Sequence, residues 1–164
     1  ARAALASRAR PVVAVTGHAR EDIEAALAGL DVVFAHNPDY ATGIASSLKT
    51  GIAALPESVA GALILLGDMP AIDAGLLDRL IEAFAARSGA LAAAPVHAGR
   101  RGNPVLLSRA LFPAIAGIEG DEGARRLLRA ADPALVVEIP ADGEAVALDI
   151  DTPEDLAAAR ESQR

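Results

Sequence analysis

Cysteine and tryptophan are absent from this chain of 164 residues, which also has one methionine, one tyrosine and three phenylalanines. Without a thiol there is no disulfide, no zinc–thiolate site and no cysteine nucleophile. With aromatics at only 2%, the composition argues against a platform on which nucleic-acid bases stack. Positive charge is also short, because Asp and Glu outnumber Lys and Arg by 22 to 15 and leave a net charge of -7. The summed field repels nucleic acid and acidic membranes, so a phosphorylated ligand has to be held locally, by a metal or by clustered arginines. No apolar run approaches the roughly 18 residues that cross a bilayer. No charged-then-apolar leader opens the sequence, and the expected compartment is a reducing cytoplasm. What the chain has is 52% hydrophobic residues, about a quarter of it alanine, so the expected core is Ala, Leu, Val and Ile packed closely in one domain.

Short β-branched or aliphatic runs alternate with amphipathic stretches. PVVAVTG from Pro11 to Gly17 and DVVFAH from Asp31 to His36 read as strands, with the helix EDIEAALAGL between them. The polar loop NPDYATG leads to a helix carrying Ile44, Leu48, Ile52 and Leu55. The run from Ala60 to Leu66 is the strongest signal for a central, buried strand. A helix over 73–87 with Asp73 as N-cap follows, then the strand ALAAAPV, the basic loop AGRRGNP and the strand NPVLLS. A short helix over 109–115, a helix over 124–131, the strands LVVEIP and AVALDID, and a helix opening at TPEDL complete the order, with Thr152 as cap and Pro153 in the first turn. The expected fold is α/β, a three-layer, doubly wound domain with a mostly parallel sheet. Ligands of such folds sit beyond the carboxyl ends of the strands. ARAALASRAR at the start reads as the tail of a helix already under way, so the natural N-terminus is expected upstream.

Chemistry-bearing residues follow strands. Asp68 in LGDMP succeeds the central run, with Pro70 restricting the backbone beside it. Asp149 and Asp151 in LDIDTPED stand two apart at the end of the last strand and so share a side. Carboxylates from two strand ends, without a His or Cys cluster, suit Mg²⁺ and not zinc. DIDTP superficially matches the DxDxT of aspartyl-phosphate phosphatases, but Pro153 stands where that motif has Thr. GRRGN offers Arg100 and Arg101 beside glycines, and its bland alternative is a solvated hairpin tip. GDEGARRLL opens a helix where N–H groups and Arg125 or Arg126 suit an anion. His18, His36 and His97 read as loop residues, and Ser46 and Ser47 lack a G-x-S-x-G elbow.

In this order, NPDYATGIASSLKTGI, LGDMP, GRRGNPVLL, GDEGARRLL and DIDTPEDLAAAR resemble the MobA-like nucleotidyltransferases, of nucleotide-diphospho-sugar transferase-like fold. Within them the nearest likeness is to the molybdenum cofactor cytidylyltransferases; purine-catabolism relatives share the strings. The resemblance implies Mg²⁺-dependent transfer of CMP from CTP to molybdopterin cofactor, with a molybdoenzyme as recipient of the product and no nucleic-acid or membrane partner. It implies that Asp68 and Asp151 hold Mg²⁺, and that Gly43, Ser46, Ser47, Leu48 and Gly67 border the nucleotide. Arg100, Arg101, Asn103, Pro104, Asp121 and Arg125 would border the pterin side. The family's opening strand and LAAGxSxRMGxxK loop are not found in residues 1–164, which are expected to form a single domain lacking its first strand and triphosphate loop, inactive alone. Other readings are a guanylyl or sugar-phosphate nucleotidyltransferase and a non-catalytic binding module.

Overall fold

Every helix and strand expected before Ala141 forms, at nearly the expected bounds. The computed structural model describes residues 1–121, 123–141 and Gly143, so the expected strand AVALDID, the TPEDL helix, Asp149 and Asp151 lie outside the described residues. Helix α1 (Arg2–Ala6) precedes strand β1 (Val13–Thr16), helix α2 (Arg20–Ala26) and strand β2 (Val33–His36). A 3-10 turn at Tyr40–Thr42 leads into helix α3 (Ile44–Ala53), followed by β3 (Gly61–Ile64), α4 (Ala74–Ala86) and β4 (Ala92–His97). Then come β5 (Arg100–Arg101), β6 (Val105–Ser108), α5 (Phe112–Ile115), α6 (Ala124–Ala130) and β7 (Val136–Pro140). Asp73 caps α4 as expected, its Oδ1 accepting from Leu76 N at 2.7 Å. No helix among the described residues is long and apolar enough to cross a membrane.

The strands form two sheets. β1 and β2 pair in parallel by themselves; the second sheet runs β3-β6-β4-β5, with β7 pairing β4 in parallel. The mostly parallel expectation is corrected here, because β6 lies antiparallel between β3 and β4. The few residues between His97 and Val105 are too short for a crossover, which takes about a dozen, so the chain must return antiparallel. The same connection contains β5, which folds back on Val96 and His97 where a plain loop was expected. Ala98 and Gly99, both at positive φ, form the tip of that hairpin. Among the described strands, β1 and β3 each have a paired neighbour on one side only.

Alternation along the strands divides the core. Ala92 and Ala94 of β4, with Val105 and Leu107 of β6, pack under Ala45 and Leu48 of α3, Ile115, Ile118 and α6. Ala93, Leu106 and Ile139 face the other way, onto Leu76 and Leu80 of α4. Three layers result, and the buried alanines of β4 allow helices to approach closely. β4 and β6 are therefore the most buried strands; the expected central run is half-buried in β3. Ile44, placed with Leu48 on the apolar face of α3, is 41% exposed.

Candidate functional site

The carboxyl ends of β1 and β2 lie side by side, and Asn37 N extends their ladder by donating to Thr16 O at 2.7 Å. From there the chain turns through Tyr40–Thr42 into α3, held by the side chain of Asn37, which is 1% exposed. Asn37 Oδ1 accepts from Asp39 N at 3.0 Å, while Nδ2 donates to Ser46 Oγ at 2.8 Å and to Ser47 Oγ at 3.0 Å. Ser46 Oγ in turn lies within donating distance of Gly43 O, 2.8 Å, and Asp39 O, 3.1 Å. The start of α3 is thus fastened to the end of β2 by side chains. Sequence reading missed Asn37, whose only signal is an Asn directly after a strand and before Pro38.

Gly43 begins α3 with φ +112, a region that favours glycine. A Cβ there would collide with the Gly120 carbonyl and come within 2.9 Å of Asp121 N. Ala45 N donates to Gly120 O at 3.0 Å. The ATGIASSL and GDEGAR segments, far apart in sequence, therefore meet backbone to backbone. Beside this junction lies a cleft of about 500 Å³ bordered by Asp39, Thr42, Ser46, Lys49, Glu119 and Gly120. Lys49 is the chain's only lysine. Asp121 is exposed at the junction, whereas Leu48 points into the core at 9% exposure.

Asp68 sits in the turn after β3, exposed together with Gly67, while its neighbour Met69 is buried. None of the described residues bonds the Asp68 carboxylate, which is available as one hard oxygen ligand; no cluster of three or more His, Asp or Glu forms among the described residues. A single carboxylate fits Mg²⁺, which commonly takes one or two carboxylates and completes its shell with phosphate and water. Asp151, expected to be the second ligand, lies outside the described residues.

The basic hairpin is divided. Arg100 is exposed, whereas Arg101 Nε donates to Glu138 Oε1 at 2.7 Å and Nη1 lies 3.5 Å from Leu128 O, tying β5 to β7 and α6. Asn103 and Pro104 are buried where the hairpin enters β6. Arg125 is on α6, with its side chain outside the described set. At the end of β1, the Thr16 Oγ1 atom is buried without a partner among the described residues.

The class of this mixed-sheet α/β domain is given by its family match, which makes it a nucleotidyltransferase-type domain. The chain is a member of the MobA-like NTP transferase family, whose domain model matches residues 1–135. It is 28% identical over 151 residues to the molybdenum cofactor cytidylyltransferase of Escherichia coli K12, covering 92% of this chain and 74% of that protein. It is 33% identical over 122 residues to the purine catabolism protein PucB of Bacillus subtilis, covering 71% of this chain and 56% of PucB. Among solved structures, Rv0371c of Mycobacterium tuberculosis H37Rv superposes with a TM-score of 0.83 at 26% identity, over 98% of this chain and 80% of its own. A structure of that protein in complex with manganese gives 0.78 at 28% identity, over 98% and 83% of the two chains.

Proposed function

We propose that this domain carries out Mg²⁺-dependent transfer of CMP from CTP to the terminal phosphate of molybdopterin cofactor, releasing pyrophosphate. The observation that carries the reading is the meeting of Gly43 with Gly120, which sets the nucleotide-bordering segment against one assigned to the acceptor. The name of the Escherichia coli relative supports the choice of base and acceptor. The manganese complex of the mycobacterial neighbour supports a divalent metal.

In this reading an acceptor phosphate oxygen attacks the α-phosphorus of CTP, a new P–O bond forms, and the bond to the β-phosphate breaks with its electron pair leaving on pyrophosphate. The acceptor monoester, with a second pKa near 6, is largely dianionic at neutral pH and needs no strong general base. Asp68, with Asp151 assigned beside it by resemblance, would hold Mg²⁺, which supplies charge neutralisation at the phosphates. Gly67, Ser46 and Ser47 border the nucleotide, and Asp121, Asn103, Pro104, Arg100, Arg101 and Arg125 border the pterin side. Arg101 acts there by holding the hairpin through Glu138. The remaining contribution is in-line positioning of the two phosphates. A reducing cytoplasm and a recipient molybdoenzyme complete the proposal.

Among the described residues β1 and β3 are paired on one side only and the Thr16 hydroxyl has no partner, which supports a sheet completed by a further strand. Pyrophosphate release from CTP, GTP, ATP and UTP with molybdopterin cofactor and Mg²⁺, on residues 1–164 and on a version extended upstream, tests both parts. Expected is CTP-dependent release from the extended form only, and a loss of at least about a hundredfold with Asp68→Asn. Preference for GTP would favour the guanylyl reading. Nucleotide binding without turnover by the extended form would favour the binding module.

A further inference from the structure

Ser46 and Ser47 are adjacent and chemically identical, yet the structure gives their protons different destinations. The orientation of the Asn37 amide is fixed by Asp39 N, which donates at 3.0 Å and therefore identifies the facing atom as oxygen. The two protons of Nδ2 must then go one to each serine oxygen, 2.8 and 3.0 Å away. Both hydroxyls are forced to accept from Asn37, and each retains a single proton. Ser46 directs its proton to the main chain, between Gly43 O and Asp39 O. For the Ser47 proton no acceptor is found among the described residues, and Ser47 is only part-buried.

We propose that Asn37 is a positioning residue that sets the hydrogen-bond polarity of this pair, so that Ser46 closes the turn and Ser47 presents an O–H donor to an acceptor oxygen of the bound nucleotide. The inference rests on the nucleotide reading of this segment and assigns its two serines different tasks. The acceptor belongs either to the base and ribose or to the phosphates; both present unprotonated oxygens. Replacing the amide with a carboxylate, Asn37→Asp, removes the donor atom, keeps an acceptor for Asp39 N and draws the serine protons inward. Ser47 would then have no proton to offer.

Affinity for CTP with Mg²⁺, measured by calorimetry on the chain and on the upstream-extended form, reads the ligand side. Ser47→Ala is expected to weaken binding about three- to tenfold, the scale of one neutral hydrogen bond. Asn37→Asp is expected to weaken it at least as much, and Ser47→Ala is expected to cost nothing further in the Asn37→Asp background. Fully additive losses would overturn the coupling. Cytidine and inorganic triphosphate as separate probes locate the acceptor, since only the probe that carries it loses affinity with Ser47→Ala; no loss with either overturns the donor role. A second readout needs no nucleotide. Both Asn37 side-chain amide protons should exchange slowly by NMR in the unliganded chain, and one should lose protection in Ser47→Ala. Fast exchange of both overturns the polarity assignment. If none of CTP, GTP, ATP and UTP binds either form, the nucleotide reading and the ligand role of Ser47 fall together, while amide exchange still decides what Asn37 does.

Discussion

The two sheets have similar residues and opposite fates. Ala92–Ala94 of β4 and Val105 and Leu107 of β6 are fully buried. In the β1–β2 pair Val13–Val15 are half-buried, and Val33 and Phe34 are 49% and 39% exposed. The second pair is no less apolar. What separates them is cover. The five-stranded sheet has α4 on one face and α3, α5 and α6 on the other. β1 is packed by α3, where Val15 faces Gly51, while α2 has no buried residue. Burial in this chain is a property of the layers around a strand more than of the strand's own sequence.

That contrast can be broken residue by residue. Leu107→Ala removes a fully buried side chain from between two layers and is expected to destabilise the fold by about 3–4 kcal/mol, read by urea denaturation. Gly43→Ala, which puts a methyl group against the Gly120 carbonyl at positive φ, is expected to lower stability by about 2–3 kcal/mol. It should also speed amide exchange of Ala45, the donor to Gly120. Val15→Ala, the smaller sheet's counterpart to the first change, should lower stability by only about 1 kcal/mol. A loss equal to that of Leu107→Ala would show that β1 is covered as fully as β6. The smallest effect is expected from Glu138→Gln, which breaks a partly exposed ion pair with Arg101 and should change stability by less than about 1 kcal/mol.

Local features were legible in the sequence, and long-range pairing was not. Asp73 and the helix after it follow from a cap and an apolar period, both written within a few residues. The turn carrying Asp68 and the helix opened by Gly123 were readable for the same reason. The antiparallel insertion of β6 depends on which strand it meets, and a run such as VLLS says nothing of direction. The separation of β1–β2 depends on pairing partners in the same way. At the site, Gly43, Ser46 and Ser47 were marked as a segment, but the contact with Gly120 and the bonds from Asn37 exist only once distant pieces of chain are folded together. Leu48 and Arg101 carry the same lesson, since each belongs to a marked motif and is engaged by the protein itself.

The turn that carries Asp68 also carries Met69, 7% exposed, and the composition makes that residue singular: with no cysteine and one methionine, its thioether is the only sulfur in the chain. Oxidative chemistry directed at sulfur therefore has one target, a single residue from the exposed carboxylate. Sulfoxide formation would place a polar S=O group at a buried position beside Asp68 and disturb the LGDMP turn. Burial slows that reaction, so the low exposure of Met69 shields the one sulfur atom beside Asp68.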